Sequence, residues 1–297
     1  MAGEKGLVTI GLMAYNRAGS YLPVTLDSIL AQTYKNFELV ISDNASPDNT
    51  EEICRAYAKK DPRITYIRQK ENIGYTANVN FFRTRILGEY FVWMCDDDLF
   101  APTFLEKCVA LLDAHPESIM AGANVIDFDD IGNRTPARDP NKFYPSERDL
   151  YRRLKQYTFF YESDGKDLFM FCAVWRREAI LNFIFVNYFI RYPYNWDFQD
   201  MNFVFRGLAK GTSEFVNEVL FFKRAKSDSF VPSKKKSLPK KIYDSLVYSR
   251  LRRLFTPFFY KRMRQILKVK ELSLWQRKKL ILWTFFVMSR LFWKRKI

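Results

Sequence analysis

Over residues 1–130, short apolar runs alternate with stretches in which apolar residues return every three or four positions. The runs predict strands and the longer spacing predicts amphipathic helices. Leu7–Met13 is the first predicted strand. Leu22–Ala31, with Leu22, Leu26, Ile29 and Leu30 at helical spacing, is the first helix. Phe37–Ile41 is the second strand. Ser46-Pro47-Asp48 offers an N-cap, a proline at the first helical position and a first-turn acid for a helix holding Ile53, Cys54 and Tyr57. Ile64–Ile67 is a third strand, Tyr75–Leu87 a helix and Tyr90–Cys95 a fourth strand. Thr103–Ala114 is another helix, and Met120–Phe128 a further extended stretch.

Repeated strand–helix units predict an α/β fold with a parallel sheet covered on both faces. Ligands of such sheets bind beyond the carboxyl ends of the strands. Polar residues gather at those ends: Asn16 and Arg17 after the first strand, Asp43 and Asn44 after the second, Asp96–Asp98 after the fourth. No G-x-G-x-x-G follows the first strand and no G-x-x-x-x-G-K-[ST] occurs, which disfavours a dinucleotide fold and a P-loop. Residues 129–165 are polar and rich in Asp, Arg, Pro and Tyr. They read as an irregular insertion with a helix near Leu150–Thr158. Ala173–Trp175 is strand-like, Phe203, Phe205 and Leu208 mark a helix, and Phe215–Phe222 is the last strand.

Charge divides the chain in two. The net charge is +15, but from Lys226 onward there are 21 basic residues and three acids (Asp228, Asp244, Glu271). Residues 1–225 hold 27 basic and 30 acidic residues. The division predicts a body over 1–225 and a basic tail over 226–297, the tail facing an anionic partner. Cys54, Cys95, Cys108 and Cys172 show no C-x-x-C spacing, and the single histidine, His115, precedes Pro116 at a predicted helix end. A His/Cys zinc site and a His-based triad are therefore disfavoured, and buried free thiols suit a reducing compartment. The N-terminal residues carry no secretory pattern, so the expected location is the cytoplasm or its membrane face.

Asp96, Asp97 and Asp98 carry the most chemistry. At an effective dielectric near 20, two carboxylates about 4 Å apart repel by roughly 4 kcal/mol. A divalent cation offsets such repulsion, and oxygen-only ligands suit hard ions, Mg2+ or Mn2+, often bridging to substrate phosphates. An acidic turn capping the next helix is the competing reading.

These residues, taken in order, resemble the inverting family 2 glycosyltransferases of GT-A fold. The resemblance covers about residues 7–225. Val8-Thr9-Ile10 with Ala14-Tyr15-Asn16-Arg17 is similar to the opening strand and nucleotide loop. Ile41-Ser42-Asp43-Asn44-Ala45-Ser46-Pro47-Asp48 resembles the second motif, and Glu71-Asn72-Ile73-Gly74 the segment before the third helix. Cys95–Asp98 stands where the family carries D-x-D, and Gln199-Asp200 where Glu-Asp is usual, with Arg206 six residues on. The resemblance implies a GT-A, Rossmann-like mixed sheet, mostly parallel, with helices on both faces. It implies a nucleotide site of Tyr15, Asn16, Arg17, Asp43, Asn72, Gly74 and Asp96, with Asp43 accepting N3–H of uracil or thymine. It places the metal, Mn2+ or Mg2+, on Asp97 with Asp98 beside it, and does not decide whether Asp96 or Asp98 assists. Asp200 becomes the general base. Three departures stand out: Cys95 replaces the first Asp of D-x-D, Gln199 replaces an acid, and Arg224-Ala225-Lys226 replaces R-x-H, which puts Lys226 against the diphosphate. No Q-x-x-R-W follows Asp200, which favours single additions over polymerisation.

The expected activity is inverting, metal-dependent transfer of one sugar from a UDP- or dTDP-sugar to a lipid-linked or cell-surface saccharide. Tyr194 and Trp196 offer a stacking platform for the acceptor. A metal-dependent nucleotidyltransferase and a non-catalytic membrane or nucleic-acid adaptor are the alternatives. In the tail, residues 280–293 as a helix span about 21 Å against a hydrocarbon core of about 30 Å, so they are expected to lie in the interface of the inner membrane face. The other readings of the tail are packing on the body and pairing with a second copy. Its long apolar runs disfavour nucleic acid.

Overall fold

The computed structural model describes residues 3–18, 21–130, 132–136, 147–164, 170–181, 183–184, 199–225 and 262–294. The first strands are β1 (Glu4–Ala14), β2 (Phe37–Asp43), β3 (Ile64–Arg68) and β4 (Gly88–Cys95). Between them run α1 (Leu22–Leu30), α2 (Thr50–Lys60) and α3 (Tyr75–Phe81). Then come β5 (Leu99–Phe100), α4 (Phe104–Ala114), β6 (Ser118–Phe128) and α5 (Leu150–Asp164). The body closes with β7 (Val174–Arg176), α6 (Arg177–Leu181), α7 (Gln199–Leu208) and β8 (Thr212–Arg224). In the tail, residues 262–268 are helical and α8 spans Leu274–Lys294.

All eight strands form one sheet in the order β3-β2-β1-β4-β7-β6-β8-β5. Pairings β1–β2, β1–β4, β2–β3 and β6–β8 are parallel. The short β7 runs antiparallel to both β4 and β6. Two successive reversals restore direction, so β6 and β8 point the same way as β4. The inner strands are apolar along their length: Val8, Ile10 and Leu12 of β1, Leu39 and Ile41 of β2, and Tyr90 to Met94 of β4 are all core residues. Strands covered on both faces lose the apolar–polar alternation, which is why they appear as unbroken apolar runs.

Register decides what meets at the sheet's carboxyl rim. Ala14 pairs with Asp43, Asp43 with Arg68, Met13 with Cys95, and Phe128 with Arg224. The strand ends therefore line up, and the residues just beyond them stand along one rim of the sheet.

Several local expectations are corrected. The second helix starts at Thr50 with Asn49 as N-cap, not at Pro47. Ser46 is engaged elsewhere, giving its N–H and hydroxyl to Asp43, while Asp48 accepts the Thr50 N–H. The third helix stops at Phe81 and tightens into a 3-10 turn over Phe82–Thr84, because Phe82 must turn inward to full burial. β5 and α6 have no counterpart in the sequence expectations. α5 runs further than expected, to Asp164. His115 does stand at the C-cap of α4, and all four cysteines are free.

The described tail packs on the body. Ile266, Val269, Leu272 and Leu280 belong to the same core as the sheet, and the Arg262 guanidinium lies 4.2 Å from the Phe205 ring. The last helix is longer than the expected residues 280–293. With 21 residues it is about 31 Å long, so length does not exclude crossing a bilayer. Among the described residues, no helix is long and apolar enough to cross a membrane.

Candidate active site

The loop after β1 is stapled to the loop after β2 by side-chain acceptors. The backbone N–H groups of Asn16, Arg17 and Ala18 donate to Ser46 Oγ (3.0 Å), Thr50 Oγ1 (3.3 Å) and Asp48 Oδ2 (2.9 Å). Asn16 and Ala45 both hold positive φ, at 56° and 59°, the left-handed region that tightens each loop into a turn. Asn72 organises a third loop: its Oδ1 accepts the Asn44 side-chain amide at 3.0 Å and the Gly74 N–H at 2.9 Å. Gly74 sits at φ +78° with open space around it.

Asp43, the last residue of β2, is fully buried and its carboxylate holds four donors. Oδ1 accepts the Ser46 N–H (2.9 Å) and hydroxyl (2.6 Å), and Oδ2 accepts the Tyr66 hydroxyl (2.7 Å) and Arg68 Nη1 (2.9 Å). That is the full complement of a carboxylate. Tyr66 and Arg68 were not foreseen as site residues. Their positions on β3 carried a signal, since Arg68 closes a strand whose neighbour ends in Asp43.

The aspartate triplet divides. Asp96 Oδ2 accepts the Tyr15 N–H at 2.8 Å, and its other oxygen lies 3.6 Å from Arg17 Nε. Asp97 reaches the same guanidinium, 3.3 Å from Arg17 Nη2. Asp98 turns the other way: its Oδ1 accepts the Arg224 N–H at 2.9 Å and its carbonyl accepts the Thr25 hydroxyl at 2.9 Å. The cause is β5, which pairs Leu99 with Phe222 and Phe100 with Phe221 and so draws Asp98 onto β8. Burial pushes the Asp96 carboxyl up to about 7, opposed by the Tyr15 N–H and raised further by the charge of Asp97. Burial does the same to Asp98, also to about 7, with Asp97 adding to it and the Arg224 N–H opposing. The Cys95 thiol is held well above its usual range by hydrogen bonding with Cys172 and by burial, so it stays neutral.

Arg224, read from the sequence only as the start of the Arg224-Ala225-Lys226 segment, takes a structural part in this rim. Its Nε donates to the Asp97 carbonyl at 3.1 Å, it pairs with Asp130, and its guanidinium lies 4.1 Å from the Tyr21 ring and 4.5 Å from the Phe128 ring. Tyr21 donates to Asp130 at 2.7 Å. The backbone carrying Asp97 is thereby braced from β8.

Among the described residues, no three His, Cys, Asp or Glu side chains group as a metal site. Two carboxylates do converge on one cation, the Arg17 guanidinium. Two hard oxygen donors fit Mg2+ or Mn2+, which commonly take one or two carboxylates and complete their shell with water and substrate phosphate.

α7 begins at Gln199, so Asp200 is its second residue. The helix is seated by Phe203, whose ring lies 5.2 Å from Trp93 of β4 and 4.4 Å from Trp175. A Cβ at Gly207 would overlap Trp175, so glycine permits this approach. Arg206 lies over Phe183 at 4.9 Å. The Asp200 side chain, Tyr194, Trp196 and Lys226 lie outside the described residues.

The family model described as glycosyl transferase family 2 matches residues 9–181. The chain is 36% identical over 134 residues to EpsE of Bacillus subtilis, a protein named as a putative glycosyltransferase, covering 45% of this chain and 47% of that one. It is 30% identical over 162 residues to the uncharacterized glycosyltransferase MJ1057 of Methanocaldococcus jannaschii, 54% of each. The chain thus spans about half the length, or less, of the curated relatives it matches. Among solved structures it is similar to S. aureus TarS 1-349 in complex with UDP-GlcNAc, with TM-score 0.62 and 15% identity over 92% of this chain and 70% of that one. The mannosyltransferase PcManGT from Pyrobaculum calidifontis, in complex with GDP-Man and Mn2+, gives TM-score 0.52 and 18% identity over 96% and 73%. At such identities the likeness is one of fold.

Proposed function

Because the chain belongs to glycosyl transferase family 2 and carries its GT-A fold, we propose that this glycosyltransferase moves one sugar from a UDP- or dTDP-linked donor, with inversion, to a hydroxyl of a lipid-linked or cell-surface saccharide. The observation that carries the reading is the shared rim on which Asp43 and the Asp96–Asp97 pair stand at aligned strand ends. The UDP-GlcNAc bound in TarS and the GDP-Man bound in PcManGT support a nucleotide-sugar donor, and the first of them a pyrimidine base.

Asp43 holds the base. Its four lone-pair positions are filled, so a pyrimidine N3–H takes the place of one present donor. Arg68 is the one that yields, since it is a third exposed while Asp43 is buried. Tyr15, 45% exposed at the mouth, presents a ring for the base to pack on. Asn72 and Gly74 shape the loop on which the nucleotide rests. Asp97 and Asp96 hold the divalent ion, Mn2+ or Mg2+, because they already share a cation, whereas Asp98 commits an oxygen to the Arg224 N–H. That ion supplies charge neutralisation at the leaving diphosphate. Arg17, released from the two acids, and Lys226 add positive charge beside the phosphates. Asp200 accepts the proton of the attacking hydroxyl, and Tyr194 and Trp196 stack against the acceptor.

Asp200→Asn tests the assignment. Turnover of a nucleotide sugar should fall on the order of 100-fold or more, as for loss of a general base, with UDP affinity by calorimetry unchanged. Undiminished turnover would remove Asp200 from the role. Absence of any binding of either UDP or dTDP by the wild-type chain, with Mn2+ present, would end the donor reading.

A further inference from the structure

α8 presents an apolar face whose large side chains are half or more exposed. Its inner side is fixed: Leu280 and Thr284 are buried, and Arg277 donates to the carbonyls of Leu267 (3.3 Å) and Lys270 (3.0 Å), locking the start of the helix to the preceding segment. The opposite side is different. Trp275, Leu282, Phe285 and Phe286 are each at least 51% exposed, on a helix bound to α5 by its other face. At 3.6 residues per turn they fall, with Lys278 and Lys279, within an arc of about 120° that excludes Leu280 and Thr284. Lys279 stands 3.2 Å from the Trp275 ring, so the cation rides on the apolar stripe itself.

We infer that this face of α8 is a docking surface for an anionic lipid bilayer. The charge argues for that occupant. No acid follows Glu271 in the sequence, whereas Arg277, Lys278, Lys279, Arg290, Lys294, Arg295 and Lys296 do. Large aromatic and aliphatic side chains flanked by lysines, on a helix whose opposite side is buried at Leu280 and Thr284, match an interfacial helix whose apolar side enters the headgroup boundary while its cations meet lipid phosphates. A second copy of this chain would bring the same lysines against each other, with no acid on the face to oppose them. The inference is independent of the donor chemistry, since it stands whichever sugar is transferred.

The test uses the full chain and vesicle flotation, with phosphatidylcholine alone and phosphatidylcholine mixed with phosphatidylglycerol. The wild type should float with the mixed vesicles and not with the neutral ones, and added salt should weaken binding. Lys278→Glu with Lys279→Glu should reduce the bound-to-free ratio by more than about tenfold, each cation contributing about a factor of five near an anionic surface. Trp275→Gln with Leu282→Gln and Phe286→Gln should do at least as much. All are outward positions, and UDP binding by the same preparations should match wild type, which separates lost docking from lost folding. Equal flotation of variants and wild type, wild-type binding indifferent to lipid charge, or wild-type failure to bind would each overturn the inference. So would a lipid-free dimer that the apolar variants convert to monomer, since the occupant would then be a second copy.

Discussion

Replacing Asp98 with Asn should make the protein more stable than wild type by an amount that grows as pH rises from about 4 to 8 and then levels off. Burial, reinforced by the charge of Asp97, raises the Asp98 carboxyl from 3.8 to about 7. Between those values the folded protein keeps a proton that the unfolded chain has lost. The stability due to that proton is fully present below about pH 4 and is lost as pH rises through 7. At 1.36 kcal/mol per pKa unit, the whole penalty for ionised Asp98 is roughly 4 kcal/mol. Less than half of it is already felt near pH 5, and nearly all near pH 8. Asn does not titrate, and its Oδ1 can still accept the Arg224 N–H. The difference between variant and wild type should therefore widen by about 2–3 kcal/mol from pH 5 to pH 8. Asp96 titrates in the same range and is present in both proteins, so its own contribution cancels apart from its small charge coupling to Asp98. Urea denaturation followed by tryptophan fluorescence, with a chelator present, measures the difference at each pH. A difference that stays flat with pH would show that Asp98 is not held protonated and that burial does not control its charge. Mn2+ binding should survive the substitution, because Asp96 and Asp97 are the acids that share a cation.

Asp97→Asn should abolish the strengthening of UDP binding by Mn2+ while leaving metal-free UDP binding close to wild type, which calorimetry with and without the metal resolves. Asp43→Asn removes the charge facing Arg68 and one good acceptor in a buried site. It should weaken UDP binding by about 1–3 kcal/mol, read in the same instrument, and an unchanged affinity would take Asp43 out of the base site. Gly88→Ala would drive a Cβ into the Leu7 carbonyl, a backbone group that cannot swing aside, and should cost more than about 2 kcal/mol or prevent folding. Gly74→Ala meets no atoms, but φ +78° with ψ 162° is a conformation essentially confined to glycine, so it should cost about 1–3 kcal/mol through backbone strain alone, read as a lowered melting temperature.

Much of the fold was legible because its signals are local. A strand buried on both faces is an apolar run wherever it occurs, and β1, β2 and β4 are such runs. α1, α4 and α7 show their inner faces as Leu22–Leu26–Ile29, Leu105–Val109–Leu112 and Phe203–Leu208. What escaped is instructive. β5 is only two residues long, too short for any period, and exists because β8 offers it a partner. Ser46 looked like an N-cap because residue type and spacing were right. In the fold its hydroxyl donates to Asp43 and accepts from Asn16, which no local pattern announces. The end of the helix at Phe81 follows from the burial of Phe82, again a matter of what lies across from it.

The chemistry divides the same way. Asp43 and Asp96–Asp98 were legible as strand-end residues from type and order, because a strand's carboxyl end is a place readable along the chain, whereas Asn72 and Asp200 came only from the family resemblance. Arg17 facing Asp96 and Asp97, Arg68 completing Asp43, and Arg224 bracing the triplet were decided by tertiary structure alone. Tyr15 and Asp96 are 81 positions apart, Arg224 and Asp98 126. Sequence determines which segments become strands and which face of a helix is apolar, since both depend on neighbours within a turn or a pleat. Only the pairing order and register of the sheet determine which distant side chains share a rim. Here that register turned three adjacent aspartates into two that meet one cation and a third buried against β8.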